Sequence, residues 1–181
     1  MKFLELISSR QSDRQYINKP VNREIINRCI EAARIAPSAS NSQPWKFIVV
    51  DDPELKDKVA RKTFGPLKSF NKFVPQAPVI VAIVLEKPKL TTELGGRLKK
   101  KEYPLIDIGI AAEHICLQAT EEGLGSCMLG WFDEKSVKSL LGVPDKKSIP
   151  LLITLGYTAE DYKHRKKIRK NMVDVVKYNS Y

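Results

Sequence analysis

The stretch Ala36-Pro37-Ser38-Ala39-Ser40-Asn41-Ser42-Gln43-Pro44-Trp45 is the most informative part of this chain. It connects a predicted helix to a predicted strand at 46–50, whose apolar run suggests that both of its faces are covered. Its small residues allow the backbone to approach a flat ligand closely, and its serine, asparagine and glutamine side chains offer hydrogen bonds. By composition alone, the stretch is equally compatible with a capped turn that binds nothing. Only the order of its residues can distinguish a ligand-binding stretch from such a turn.

Helix and strand signals alternate along the rest of the chain. Hydrophobic spacing and capping residues predict helices over 2–8, 23–36, 53–63, 105–122 and 134–141. Apolar runs predict strands over 46–50, 78–85, 126–132 and 150–156, with irregular regions at 64–77 and 87–103. The helix at 105–122 is apolar nearly all round, which is typical of a protein centre or a subunit interface. This order predicts a sheet covered by helices, of the α/β or α+β class.

Length and composition indicate one ordinary globular domain over residues 1–181. The apolar fraction is 43% and the charged fraction is 29%, which excludes a disordered chain. No segment has the roughly 20 apolar residues of a membrane span, and the N-terminus lacks the apolar run of a signal peptide. We therefore expect a cytoplasmic protein without membrane contact. The apolar tail at 172–176 is expected to be extended and to dock on another surface.

Residues that could carry out catalysis by themselves are scarce. The two histidines, His114 and His164, stand in no catalytic sequence context, and the three cysteines are widely spaced. This pattern favours cysteines packed as small apolar residues over a metal site. Neither a Walker loop nor a GxGxxG motif occurs. An enzyme with this sequence is expected to take its chemistry from a cofactor, so no catalytic side chain and no metal ligand is predicted.

Basic residues near both ends of the chain are suited to anions. The net charge is +10, and Arg10, Ser12 and Arg14 alternate, so in an extended loop their side chains could converge on one target. Guanidinium and hydroxyl groups both donate hydrogen bonds to phosphate. A second basic run spans 163–170. From the residues alone, both sets could also be solvated surface, and the second could contact nucleic acid, although no aromatic residues interleave with it.

The order of residues in three blocks resembles the nitroreductase family. The blocks are Arg10-x-Ser12-x-Arg14-x-Tyr16, the stretch 36–45 quoted above, and Gly123-Leu124-Gly125-Ser126-Cys127-Met128-Leu129-Gly130-Trp131-Phe132. Leu155-Gly156-Tyr157, followed by Lys167-x-Arg169-Lys170, is a looser fourth match. The resemblance implies an α+β fold with a central, mainly antiparallel sheet flanked by helices. It also implies an intertwined homodimer with two FMN sites at the subunit interface, in which the tail from about 165 to 181 docks on the partner subunit.

The resemblance also implies roles for individual residues. The FMN phosphate is expected at Arg10, Ser12, Lys167 and Arg169, with Gln11 also in the FMN site. Arg14 is expected beside the pyrimidine edge of the flavin, where its charge would stabilise the reduced ring. The partner subunit is expected to contribute Pro37, Ser38, Ala39 and Asn41, and the backbone at Met128, Leu129 and Gly130 is expected to line the opposite face of the ring.

The substrate pocket is the least defined part of this resemblance. Phe70, Asn71 and Trp131 are expected to line it. Trp131 departs from the family pattern, which often has a second glycine after the one equivalent to Gly130. Its indole would either narrow the pocket or pack in the core of the dimer.

The activity implied by the resemblance is FMN-dependent oxidation of NADH or NADPH, coupled to reduction of electron-poor acceptors such as nitroaromatics and quinones by ping-pong two-electron transfer. Since the nicotinamide only visits the flavin, the absence of a dinucleotide-binding motif is accounted for. Flavin-dependent dehalogenation, or another reduction on the same fold, remains the alternative. A basic nucleic-acid-binding protein is the alternative from another class, and it predicts binding that depends steeply on salt.

Overall fold

The structure, a computed structural model, describes residues 2–65, 70–88 and 101–181, so parts of the irregular regions predicted at 64–77 and 87–103 lie outside it. In the described part, the helices are α1 Phe3–Ser9, α2 Arg23–Arg34, α3 Pro53–Ala60, α4 Tyr103–Glu121, α5 Glu134–Leu141 and α6 Met172–Val175. The strands are β1 Trp45–Val50, β2 Val79–Leu85, β3 Gly125–Leu129 and β4 Ser148–Gly156. Short 3-10 turns cover Ala39–Asn41 and Val74–Gln76.

The four strands form one antiparallel sheet in the order β1-β2-β4-β3. In β2, Ile80 lies opposite Val50 on one side and opposite Thr154 on the other. A parallel bridge between Ser12 and Ser126 brings the N-terminal segment alongside β3. The prediction of an α+β fold with a mainly antiparallel sheet is confirmed.

The side chains of β2 belong to two apolar layers, because successive residues of a strand point to opposite faces. Ile80, Ala82 and Val84 pack in the layer that contains residues of α3 and α5. Val79, Val81 and Ile83 pack in the layer that contains residues of α2 and α4. Full burial of a valine or isoleucine side chain stabilises the fold by about 1.5–3 kcal/mol. Helices therefore cover both faces of the sheet, which explains the unbroken apolar run of this strand.

Helix starts agree with the predicted capping residues. The side chains of Asn22, Asp52 and Asp133 each accept a hydrogen bond from a backbone N–H in the first turn of α2, α3 and α5. Helix α3 is shorter than predicted and ends at Ala60, whose carbonyl accepts hydrogen bonds from the hydroxyl and the backbone N–H of Thr63. None of the helices in the described ranges is both long and apolar enough to cross a membrane.

In the C-terminal half, the end of β3 and the structure of residues 172–176 differ most from the predictions. Strand β3 ends at Leu129 rather than at 132, and the carbonyl of Trp131 accepts a hydrogen bond from the Asn71 side chain instead of pairing in the sheet. The prediction of an extended segment at 172–176 is wrong, because Met172–Val175 forms a single helical turn closed by a bond from the Val176 N–H to the Met172 carbonyl. The apolar side chains of this turn are largely exposed in the single chain.

Candidate functional site

The segment after α1 runs in extended form beside β3. Ser12 bridges to Ser126, and the backbone N–H of Asp13 donates to the Ser126 carbonyl at 2.8 Å. Because neighbouring side chains in extended backbone point to opposite sides, Arg10, Ser12 and Arg14 share one side. All three line the same cleft, as the alternation predicts.

The C-terminal segment, defined here as residues 162–169, lies against this N-terminal segment. The backbone N–H of Arg165 donates to Oε1 of Gln11 at 3.1 Å, and its guanidinium donates to the Ser12 carbonyl. Nζ of Lys167 donates to the Ile7 carbonyl at 2.6 Å. The hydroxyl of Tyr162 accepts a hydrogen bond from the Arg14 backbone N–H at 3.1 Å. Hydrogen bonds thus join the N-terminal segment to the C-terminal segment, which lies about 150 positions later in the sequence.

The two segments enclose what we call the cationic cleft, a space of about 360 Å³. It is lined by Arg10, Gln11, Ser12, Arg14, Arg165, Lys166, Lys167, Ile168 and Arg169. Six of these nine side chains carry a positive charge. Opposite charges close by favour an ionised group and like charges disfavour it, so this cleft is suited to an anion.

The charges in the cationic cleft interact with one another. Burial lowers the pKa of the Lys167 ammonium, and the positive charges of Arg10 and Arg169 lower it further, while Glu113 on α4 opposes the shift. Nε of Arg10 lies 3.4 Å from Oε1 of Glu113 and makes no hydrogen bond in the described part of the chain. The cleft therefore holds a buried donor that an anion could use.

The turn at Ala39–Asn41 is strained. Ser40, Asn41 and Gln43 have φ angles of 52°, 50° and 47°, in the left-handed region that asparagine tolerates but that costs residues such as serine and glutamine about 1–2 kcal/mol each. The backbone N–H of Ala39 donates to Oδ1 of Asp107 on α4 at 3.1 Å. Strain of this kind concentrates at ligand-binding and switching segments.

The turn at Ala39–Asn41 also lies away from the cationic cleft of its own chain. Pro37 and Asn41 are exposed, Ser38 and Ala39 are half-buried, and none of the four lines the cationic cleft of its own chain. The structure of one chain therefore does not bring the second block together with the first.

The end of β3 carries the third group of predicted residues. Leu129 is buried, Met128 is half-buried and Gly130 is exposed, with no atom within 4 Å of the place where a Cβ would stand. A strand advances about 3.3 Å per residue, so Gly130 lies on the order of 13 Å along the chain from Ser126, which bridges to the cleft residue Ser12. This spacing suits an elongated ligand with an anionic group at one end.

Phe70, Asn71 and Trp131 are brought together beside the end of β3. The rings of Phe70 and Trp131 meet edge to face with centroids 6.2 Å apart, and both are more than half exposed. Asn71 is buried, and its amide nitrogen donates to the carbonyls of Thr63 and Trp131, each at 2.9 Å. The two rings thus form an exposed aromatic surface, and Asn71 fixes the backbone behind it.

Other residues of the site were not singled out from the sequence. Arg165, Lys166 and Ile168 line the cationic cleft together with the predicted Lys167 and Arg169. Arg165, Lys167 and Arg169 stand two positions apart, which in extended backbone indicates a shared side, and this signal was available. The contact of Glu113 with Arg10 had no sequence signal, because 103 positions separate the two residues.

The cysteines take no part in this site as nucleophiles. Cys29, Cys116 and Cys127 are all buried, which confirms the sequence expectation for Cys29 and Cys116. Burial raises the pKa of the Cys29 thiol and of the Cys116 thiol to about 12, and it also raises the pKa of Cys127. All three are therefore protonated and unreactive near neutral pH.

Comparison with known proteins places these features in a wider group. The family model "Nitroreductase family" matches this chain over residues 7–72 and 66–157. An NADH dehydrogenase of Thermus thermophilus is 29% identical, and the likeness covers 84% of this chain and 84% of that protein. An iodotyrosine deiodinase of Thermotoga neapolitana is 26% identical, and the likeness covers all of this chain and all of that protein. The solved structure of an FMN-dependent nitroreductase from Clostridium difficile is 28% identical, with a TM-score of 0.80 and coverage of 99% of this chain and 100% of that one.

Proposed function

This chain belongs to the nitroreductase family, and we propose that it is an FMN-dependent oxidoreductase that oxidises NADH or NADPH and reduces electron-poor acceptors such as nitroaromatics and quinones. The cationic cleft is the observation that carries the proposal, because both segments predicted to hold the FMN phosphate line it. The FMN dependence of the Clostridium difficile protein supports the cofactor, and the name of the Thermus thermophilus relative supports the donor.

The residues of the cationic cleft fit the phosphate of FMN. A phosphate monoester carries about two negative charges at neutral pH and offers three strong acceptor oxygens. The side chains of Arg10, Ser12, Lys167 and Arg169 supply hydrogen-bond donors and positive charge at the cleft. Gln11 contributes indirectly, because its side-chain oxygen accepts a hydrogen bond from the backbone N–H of Arg165 and so holds the C-terminal segment beside the cleft.

Bound FMN would supply the redox chemistry, accepting a hydride from the nicotinamide and passing two electrons to the acceptor in a ping-pong cycle. Arg14 then provides positive charge next to the ring, in keeping with its exposed position at the end of the cleft-lining segment. The backbone at Met128, Leu129 and Gly130 would line the face of the ring, and the open space at the Cβ position of Gly130 would leave room for it. Phe70 and Trp131 receive the acceptor, and Asn71 positions them.

The active form is proposed to be a homodimer with FMN at the subunit interface. The exposed, strained turn with Pro37, Ser38, Ala39 and Asn41 lies outside the cleft of its own chain, which supports its contribution to the site of the partner. Exposed apolar side chains on α1, on the first turn of α4 and on α6 support the same assembly. Large apolar side chains left exposed on a single chain are typical of protein contact sites where they cluster.

Reductive dehalogenation is the second candidate, favoured by the full-length likeness to the Thermotoga neapolitana iodotyrosine deiodinase. A nucleic-acid partner is less well supported by the geometry. The basic residues 165–169 are tied to segment 7–14 around a small cleft, which suits a compact phosphate better than an extended strand.

The test is reconstitution followed by turnover. Protein mixed with FMN and then desalted is expected to retain flavin absorbance and to oxidise NADH or NADPH when a quinone or nitroaromatic is present. Double-reciprocal plots at several acceptor concentrations should be parallel, as ping-pong kinetics require. Iodide release from iodotyrosine at a higher kcat/KM would favour the second candidate. A protein that retains no flavin, and binds oligonucleotides with a steep salt dependence, would contradict both.

A further inference from the structure

Asp107 is a buried acid on α4 that contacts the turn Ala39–Asn41. The residue is 3% exposed, and its Oδ1 accepts a hydrogen bond from the backbone N–H of Ala39 at 3.1 Å. Its Oδ2 is also buried and accepts no hydrogen bond within the ranges of the chain that the structure describes. One oxygen of this carboxyl group thus binds the turn, and the stability of the other is not provided for by the described residues of the same chain.

The folding of a single chain does not explain an aspartate at this position. Buried acceptors without a hydrogen bond are rare in folded proteins and lower stability, because they lose their hydrogen bonds to water. An apolar side chain would avoid this cost, and the nearby buried residues Ile108 and Ala111 of α4 are apolar. The turn that Asp107 binds therefore explains the aspartate better than packing does.

The bond to Asp107 differs from the other side-chain hydrogen bonds of the turn. The backbone N–H of Gln43 donates to the Ser38 hydroxyl at 2.9 Å, and the Gln43 amide donates to Oδ1 of Asn41 at 2.8 Å. Both of these bonds join residues of the same loop, so they stabilise its shape. The bond from Ala39 to Asp107 instead joins the loop to a helix of the core, so it also fixes the position of the loop.

The backbone of the turn needs such an anchor. Ser40 and Gln43 have φ angles of 52° and 47°, which serine and glutamine otherwise avoid. Strained conformations persist only where the surrounding contacts hold them in place. Without the bond to Asp107, we expect the turn to relax toward ordinary backbone angles and to present a different surface.

Asp107 lies next to residues that are proposed to meet the partner subunit. Leu105 and Ile106, which precede it in the first turn of α4, have exposed apolar side chains. Pro37 and Asn41 at the anchored turn are exposed as well, and they lie outside the cationic cleft of their own chain. The start of α4 therefore carries both the anchor of the turn and apolar side chains suited to an interface.

We propose that Asp107 is a positioning residue for flavin binding by the partner subunit. Its carboxyl group holds the strained turn Ala39–Asn41 in the conformation that contacts the flavin ring bound to the cleft of the other chain. The small residues of the turn suit the close approach of a flat ring. The inference rests on the proposed function, because the FMN and the homodimer are parts of it.

The first experiment compares the binding of FMN and of riboflavin by Asp107→Ala and by wild type, followed by the quenching of flavin fluorescence. Loss of the hydrogen bond that anchors the turn is expected to weaken the binding of both flavins about fivefold. The ratio of the two affinities depends on the phosphate and should stay unchanged. Asp107→Asn should retain most of the affinity, because its amide oxygen can still accept the hydrogen bond from Ala39.

Asp52→Ala is the matched control. It also removes one hydrogen bond between a carboxyl oxygen and a backbone N–H, that of Leu55 at 2.9 Å, but at the start of α3 and away from the lining of the cleft. This variant is expected to lower the midpoint of thermal unfolding without changing the affinity for either flavin. If Asp107→Ala folds poorly, Asp107→Leu removes the same acceptor without leaving a cavity, and the same losses are expected.

Mixed dimers test whether Asp107 acts on the site of the partner. Chains with Asp107→Ala and chains with Arg10→Ala/Arg169→Ala carry different affinity tags, are co-expressed, and are purified on both tags in succession. If turn and cleft come from different subunits, one site of the mixed dimer has an intact cleft and an anchored turn. This dimer should therefore bind one FMN with wild-type affinity, although both parent dimers bind FMN more weakly.

Several outcomes would overturn the positioning role. They are unchanged flavin affinity in Asp107→Ala, a loss confined to FMN, and an equally large loss in Asp52→Ala. A mixed dimer whose tighter site still binds FMN about fivefold more weakly than wild type would overturn the action of Asp107 across the interface. A wild-type protein that binds no FMN would instead refute the proposed function itself.

Discussion

Gly156, at the end of β4, stands where a side chain has no room. A Cβ there would lie 2.5 Å from Cδ of Pro78 and 3.0 Å from Cδ1 of Tyr16. The hydroxyl of Tyr16 is bonded to Oγ1 of Thr154 at 2.7 Å and donates to the Asp13 carbonyl at 3.0 Å, so the ring cannot move aside without losing these bonds. The glycine thus allows Tyr16 to anchor the segment that carries Arg14.

Gly156→Ala is therefore expected to lower the free energy of unfolding by about 2–3 kcal/mol, because overpacking forces the proline or the tyrosine ring to shift. Urea denaturation at fixed protein concentration measures this. Gly123→Ala is the matched control, since Gly123 has a φ of 74° but open space around the Cβ position. Gly123→Ala should lower the free energy of unfolding by only about 1 kcal/mol, the cost of a non-glycine residue at positive φ. If Gly156→Ala costs no more than Gly123→Ala, the crowding around Tyr16 is not the reason for the glycine.

Among the structural elements, the turn Ala39–Asn41 stores strain that a single substitution can measure. Ser40 has a φ of 52°, whereas Ser42, two positions on, has an ordinary helical φ of −77°. Glycine relieves about 1–2 kcal/mol of left-handed strain at the first position, against an entropic cost of about 0.5–1 kcal/mol. At the second position glycine relieves no left-handed strain, so the entropic cost is not offset.

Ser40→Gly is accordingly expected to raise the free energy of unfolding, and Ser42→Gly to lower it by about 0.5–1 kcal/mol. Thermal and urea unfolding of the two variants, side by side with wild type, provide the measurement. A destabilising effect of Ser40→Gly equal to that of Ser42→Gly would mean that the turn is unstrained in solution.

Elements with strong local signals were predictable from the sequence. Asn22, Asp52 and Asp133 mark helix starts through short-range hydrogen bonds, and the apolar β-branched run at 79–85 admits only a buried strand. The turn α6 was missed because β-branched residues favour an extended interpretation, while the bond that closes the turn joins two backbone groups and leaves no side-chain signal.

The residues of the candidate site likewise fall into those that a local sequence pattern predicts and those that it does not. Alternation predicted that Arg10, Ser12 and Arg14 share a side, because it is a property of local backbone geometry. The contacts of Glu113 with Arg10 and of Arg165 with Gln11 depend on how distant segments pack, and no spacing encodes them. The buried Asp13 was missed for this reason: in a polar stretch that also contains Arg10 and Arg14, it has the sequence context of a surface residue.

At the scale of the whole molecule, the single chain leaves several large apolar side chains exposed to solvent. Phe3, Leu4, Ile106, Met172 and Val173 are each more than half exposed. Sedimentation equilibrium is expected to give a mass of about twice the 20.5 kDa of one chain. A chain ended after Lys170 should dimerise more weakly and lose FMN more readily, since it lacks the apolar turn of α6. A monomeric full-length protein that retains FMN would contradict the proposed assembly.

The central claim is that the cationic cleft binds the phosphate of FMN, and comparison with riboflavin tests it most directly, because riboflavin has the same ring and lacks only the phosphate. Two charge-assisted hydrogen bonds contribute about 3 kcal/mol, so FMN should bind on the order of a hundredfold more tightly than riboflavin at low salt. The preference should shrink as salt screens the charges and should largely vanish in the double variant Arg10→Ala/Arg169→Ala. Equal affinities for FMN and riboflavin in the wild-type protein would contradict the account.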